Sequence, residues 1–421
     1  MAFQFARRPQ RPAAGAATVR RPRSRRYPQR HPFSVLLAVF LATILASACN
    51  NLPQIAGISA TPTPTVRPRD RPTPTPLPLI QNSGPIIEPR SQPYVTGVSF
   101  PVGMTFAPDG RLFFNEAKNG VMRIAEPNNG LGRILAQPFV QLETAKGAET
   151  GMLGIALHPD FAQNHWVYLY YTEPDPERKE RVPLRNRVVR FTERDNIGTD
   201  MTVILDDIAV SRQGVHNGGV LRFGPDGKLY VTVGNAQDQR QIPGHSQNLT
   251  TLNGKVLRLN DDGTIPSDNP FPGSAIFAYG FRNPFGMTFD ETTGLPWVTE
   301  NSGDNNDEVN LVEAGGNYGF PHYEGVGNDD RYKDPIWSSG DLTIGPTGLT
   351  FYTGDQLPQY RGDLFFCAVN TGSLTRLRLS ADHRTVEGGD EVAKNCHLDV
   401  INGPDGALYY STFTQIMRLG Q

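Results

Sequence analysis

The chain has 421 residues, 40 basic and 42 acidic, and 38% of them are hydrophobic, enough for one large core or two small ones. Its formal charge of −2 is unevenly spread: residues 1–32 hold nine arginines and no acid, so the rest carries −11. An acidic domain excludes nucleic acid as a partner, because phosphate binding needs the opposite sign. A small neutral or cationic ligand, or a protein, suits it better.

Residues 1–48 read as an export signal. A basic lead precedes the apolar run FSVLLAVFLATILASA, Phe33–Ala48. At 1.5 Å per residue that run reaches about 24 Å, short of the ~30 Å of a bilayer core. Cys49 follows at once in LASAC, which looks like a bacterial lipobox with Ala46 where leucine is usual. The expectation is membrane attachment through a lipidated Cys49, with an N-terminal anchor or plain secretion as alternatives. All three place the domain outside the cytoplasm. Residues 49–93 form a Pro/Thr-rich tether (TPTPTVRPRDRPTPTPLP), too poor in apolar residues to fold and stiff by composition.

Residues 94–421 repeat one pattern six times: a small residue, alternating apolar residues, a turn and a second strand. The copies begin at Gly103, Gly154, Gly219, Gly286, Gly348 and Leu398, for example GMTFAPDGRLFFNE and GVLRFGPDGKLYVTVG. Most are followed by a third strand such as VMRIAE or KVLRLND. Units of this length and content predict an all-β fold, a six-bladed β-propeller with four-stranded blades. If the glycine-led strand is innermost, residues before it and at the end of the returning strand share one mouth of the central channel. That phase collects Glu149, His216, Asn217, Arg282, Asn283 and His397 from the approaches, and Glu116, Asn235, Glu300 and Asn370 from the returns. The opposite mouth receives Pro-Asp-Gly turns. Five arginines at one phase of the third strand, Arg123, Arg190, Arg258, Arg376 and Arg418, are expected to make contacts between blades, and His158 to be structural.

In an oxidising compartment, Cys367 and Cys396 either form a disulfide or remain two buried thiols. The sequence carries no zinc-spaced Cys/His cluster, phosphate loop or dinucleotide fingerprint.

The segments ETGMLGIALHPDF, HNGGVLRFGPDGKLYVTVGNAQD, LNGKVLRLNDDGTIPSDNPF, YGFRNPFGMTFD and DEVNLVEAGGNYGFP resemble, in order and spacing, the soluble quinoprotein glucose/sorbosone dehydrogenases. The resemblance runs from about Val95 into the last blade. It implies a six-bladed propeller that binds pyrroloquinoline quinone (PQQ) with calcium and oxidises a sugar by hydride transfer. By position, it implies His216 as general base oriented by Asn235, Arg282 and Asn283 as cofactor contacts, and backbone carbonyls near Ser302 and Gly303 as the calcium site. Glu149 and Asp307 match positions beside the sugar. The sequence departs from the pattern as well. Glu149 stands where glutamine is common, and Asn235 where the family has aspartate. Asn370, Cys396 and Leu398 stand where the resemblance implies a lysine and two arginines against the cofactor's carboxylates.

Each of these residues also has a plainer reading: His216 as a turn histidine bonded to backbone, Arg282 as the ion-pair partner of Glu300 or Asp307, and Glu308 as an acceptor for turn amides. Three functions stay open at this point: a quinone-dependent aldose dehydrogenase, a propeller that binds glycan or protein without turnover, and a calcium-dependent lactonase using Glu149, Asn235 and Glu300.

Overall fold

The computed structural model describes residues 87–236 and 244–421. The export signal, Cys49 and nearly all of the Pro/Thr tether lie outside them. Among the described residues no helix is long and apolar enough to cross a membrane.

Six antiparallel sheets follow one another along the chain, each led by an innermost strand: Met104–Phe106, Met152–Leu157, Gly218–Phe223, Pro284–Phe289, Pro346–Phe351 and Val400–Asn402. Each innermost strand contacts those of both neighbours, and the last contacts the first, so the sheets close into a ring. Outer strands complete four-stranded blades; in the first blade that place is shared by Leu131–Ile134 and Val140–Gln141. The last blade obtains its outer strand from the other end of the chain: Arg90–Thr96 pairs antiparallel with Gln415–Gly420. The ring therefore begins at Arg90, and takes in the final residues of the stretch read as tether.

The returning strands Leu112–Glu116, Leu229–Val233, Pro296–Glu300 and Leu364–Ala368 are buried at every position. A strand covered on both faces by neighbouring blades can be apolar throughout, and packing between blades holds the ring. Leu153, Tyr170, Leu221 and Val231 share one such layer between the second and third blades. Glycine at the start of the innermost strand is a matter of approach. A Cβ at Gly154 would overlap the carbonyl oxygen of Gly219, and one at Gly286 that of Thr347. The sixth blade breaks the pattern with Asp399, buried at the channel axis. Its carboxylate accepts the N–H groups of Met104 at 2.9 Å and Val400 at 3.0 Å and stands 3.8 Å from Arg222.

The third-strand arginines make their close contacts within their own blades rather than between blades as expected. Arg258 binds Asp226 and Asp268, Arg376 binds Asp390, Arg418 binds Asp405, Arg123 meets Glu116, and Arg190 lies over Trp166. All these partners belong to the arginine's own blade. The cause is register. Arg258 is directly opposite Tyr230 and Arg418 opposite Tyr409, so each guanidinium runs along its own sheet to an acid of that sheet's hairpin turn. His158 has the structural role expected: its Nδ1 accepts from Asp160 N at 3.0 Å, and its Nε2 stands 3.5 Å from Asp261 of the next blade. Cys367 and Cys396, both fully buried, form a disulfide with Cα atoms 5.0 Å apart, tying the fifth blade to the approach of the sixth.

Candidate functional site

The mouth that receives the approach and return residues is organised around a strained turn. His216 adopts φ 54°, a left-handed backbone that non-glycine residues seldom take, and Gly218 and Gly219 continue it at 60° and 103°. A Cβ at Gly218 would come within 2.8 Å of Gly234 N, so the tight hairpin depends on glycine there. The turn directs the buried His216 ring at the end of the returning strand, where its Nδ1 lies 2.9 Å from Asn235 Oδ1. An amide oxygen only accepts, so Nδ1 carries a proton, and in the neutral ring Nε2 is the acceptor atom. Asn235 is itself fixed: its N–H donates to Arg282 O at 2.7 Å, and its carbonyl lies 2.9 Å from His245 Nδ1. Behind them, the buried Lys255 ammonium donates to the carbonyls of His245, Ser246 and Asn253 at 2.7 to 3.1 Å. Sequence reasoning missed that lysine; its apolar surroundings in NGKVLRL were the available signal.

Glu149 joins three blades. Its Oε2 accepts the backbone N–H of His216 at 2.8 Å and Asn283 Nδ2 at 3.1 Å, while Asn283 Oδ1 accepts Gly218 N at 3.1 Å. Asn217 braces the same loop through its donation to Glu149 O at 3.1 Å. The Arg282 guanidinium donates to Asn301 O at 2.9 Å; its backbone N–H, and that of Asn283, go to Glu300 Oε1 at 2.9 and 2.7 Å. Burial pushes the Glu300 carboxyl well above the usual range against those amides, and its Oε2 has no partner among the described residues. Glu308, opposite it in the sheet, is raised by burial to about 7 and accepts Gly325 N at 2.6 Å, the turn-bonding role read from sequence.

Asp307 is organised differently from a sugar-lining group. Its carboxylate takes three backbone N–H groups, from Ser302 at 3.0 Å, Ile344 at 2.7 Å and Gly345 at 2.8 Å, and is 1% exposed. Burial still raises it. It thus shapes the Ser302–Gly303 loop. Among the described residues none donates to the carbonyl oxygens of Ser302 and Gly303. Oxygen donors of that kind fit a hard cation such as calcium.

The other end of the site does not fit a carboxylate-rich cofactor. Asn370 is exposed and donates to Thr343 O, Cys396 is in the disulfide, and Leu398 is apolar. Glu149, Asn235 and Glu300 are not assembled as a lactonase ion site either: Asn235 holds the imidazole, and Glu300 Oε1 holds two amides.

Beside this network lies a cavity of about 180 Å³, lined by the polar Glu149, Asn283 and Asn301 and by the apolar Phe100, Leu398 and Phe413. His216 stands behind Glu149 and is not in the lining. Glu116 is engaged with Arg123 and Asn119, away from the cavity.

A closed six-bladed ring with a histidine–amide pair and a mixed polar and apolar cavity at one mouth defines a propeller with a small-molecule site. A family model for glucose/sorbosone dehydrogenases matches residues 98–418. The chain belongs to that family. It is similar to the aldose sugar dehydrogenase of Escherichia coli K12, with 29% identity over 331 residues covering 74% of this chain and 86% of that one. Similarity to quinoprotein glucose dehydrogenase B of Acinetobacter calcoaceticus is 32% over 267 residues, covering 58% and 55%. The crystal structure of a Thermus thermophilus protein described as a glucose dehydrogenase-type oxidoreductase by assignment superposes with a TM-score of 0.69 at 34% identity, covering 79% of this chain and 99% of that one.

Proposed function

We propose that the chain is a quinone-dependent aldose dehydrogenase in which His216 is the general base. The observation that carries this reading is the 2.9 Å contact from His216 Nδ1 to Asn235 Oδ1, which gives Nε2 the acceptor role in the neutral imidazole. A sugar's anomeric hydroxyl would give its proton to Nε2 as hydride leaves C1, and the product is the lactone. Imidazole is suited to this because its acceptor form is populated near neutral pH. Asn235 holds the ring and its tautomer, and Glu149 fixes the turn through the His216 N–H while presenting a carboxylate to the cavity.

The hydride needs a two-electron acceptor. PQQ is the one the family resemblance implies, and with calcium at the Ser302–Gly303 carbonyls it would supply that chemistry. Only Arg282 is retained for its carboxylates. Residues 1–93 support a domain held outside the cytoplasm by lipidated Cys49. The missing cationic contacts favour a second reading, a propeller that binds glycan without turnover.

The test is dye-linked aldose oxidation by the full chain with PQQ and calcium, comparing wild type with His216→Gln. We expect turnover in the wild type and a loss of about 10²–10⁴-fold in the variant. Equal rates would remove His216 from the chemistry, and saturable sugar binding without oxidation would favour the second reading.

A further inference from the structure

Part of the cavity wall is built from rings and aliphatic groups. Phe100 and Phe413 lie with ring centroids 5.1 Å apart, and the His397 ring is 4.2 Å from Phe413. Val369 and Leu398 extend the same surface. His397 Nδ1 is 3.0 Å from Asn395 O, so this imidazole donates there.

Phe100 is held in an unfavourable conformation to complete the ledge. Its φ is 51°, a left-handed value that is an outlier for a bulky side chain. The strain is maintained by two backbone hydrogen bonds, Phe100 N to Phe413 O at 2.8 Å and Ala117 N to Phe100 O at 3.1 Å. It remains 37% exposed, so the strain does not serve to bury the ring. Backbone strain of this kind clusters at sites where a side chain's position is used.

The charges around the cavity select the ligand. The lysine in the lining, Lys118, donates to the carbonyls of Gly147, Ala148 and Thr150, and Glu149 contributes a carboxylate. A polyanion meets a single ammonium already committed to three carbonyls, beside the Glu149 carboxylate, whereas an uncharged polyol needs no counter-charge. Its hydroxyls find Glu149, Asn283 and Asn301. Its ring C–H face, weakly positive, finds the negative face of the aromatic rings.

We propose that the Phe100–Phe413–Leu398 wall is a subsite for the apolar face of an uncharged sugar ring, with Phe413 its specificity-determining residue. This rests on the reading of the mouth as a sugar site, but not on oxidation taking place there.

The experiment is calorimetric titration of the full-length chain, without quinone, by a panel of neutral aldopyranoses, followed by competition with PQQ in the presence of calcium. Saturable binding is expected, weakened about tenfold or more in Phe413→Ala and retained in Phe413→Trp, with PQQ failing to displace the sugar at micromolar concentration. An unfolded Phe413→Ala would be recognised by its circular dichroism, and Leu398→Arg then serves in its place: it should weaken the sugar and tighten PQQ. Three results would overturn the proposal: no aldopyranose binds, Phe413→Ala (or Leu398→Arg in its place) binds like wild type, or PQQ displaces the sugar at micromolar concentration. Sugar binding through Phe413 without oxidation would sustain this subsite and defeat the dehydrogenase reading. Oxidation with micromolar PQQ seated on the wall would do the reverse.

Discussion

At the scale of the residue, the pair His216–Asn235 carries the chemistry proposed here, and the amide sets its limit. Asn235 orients the ring but offers no charge to an imidazolium. In Asn235→Asp, the carboxylate would stabilise the protonated ring, so the acid limb of the kcat/KM profile should move to higher pH by about one unit, with faster turnover. A profile left in place would show that Asn235 does not address the catalytic imidazole. Asp399 makes a separate prediction about stability. Burial raises it to about 6, against the pull of Arg222 and two amides. Between the ordinary carboxylate value and about 6, the folded chain holds a proton that the unfolded chain has released. Stability therefore falls as pH rises through that window, by about 3 kcal/mol at most. Asp399→Asn carries a constant cost from its altered hydrogen bonds but lacks this slope. Denaturant unfolding of both proteins at about pH 4 and about pH 7, on either side of that window, should show the wild type losing ground relative to the variant. Parallel curves would refute the assignment.

His216, Asn235, Glu149 and Asn283 were legible in the sequence because the repeat phase sends approach and return residues to one mouth. The ledge of Phe100 and Phe413 was not, since the first blade's approach and the last blade's return meet only when the ring closes. The backbone role of Asp307 was not legible for a related reason. Its position in the chain puts it near the mouth, but two of the three backbone amides that engage its carboxylate come from residues 344 and 345, a different blade approach.

At the scale of the element, blades were read well and their lateral ties less well. Alternating apolar residues and Pro-Asp-Gly turns announce a strand pair. Which way a third-strand arginine leans depends on register, and that is decided by pairing that composition does not report. The disulfide is the covalent tie between two blades. Closing a loop across 29 positions should contribute about 3–4 kcal/mol through the unfolded state. Reduction under native conditions is accordingly expected to lower the unfolding free energy by that amount, as read from urea curves with and without reductant. An unchanged midpoint would mean the bond adds no net stability. The disulfide also explains one departure at the mouth: a cysteine engaged with Cys367 cannot present a cationic group to a ligand.

At the scale of the whole molecule, an acidic ring joined by its first and last strands presents one mouth with histidine, amides and carboxylate beside an aromatic ledge. The closure by Arg90–Thr96 means that the fold uses both ends of the described domain, so its halves are not independent units. Six copies of the repeat made the ring legible; the identity of the acceptor was not, because Arg282 is retained and the remaining cationic positions are replaced. The claim on which the functional account turns is that a sugar C1–H bond is broken at this mouth as His216 takes the hydroxyl proton. It is tested most directly by single-turnover oxidation of an aldose bearing deuterium at C1, compared with the protiated sugar, in the quinone- and calcium-supplemented full-length protein. The account predicts a slower rate with deuterium and lactone as product; equal rates for the two sugars, or no lactone from either, would contradict it.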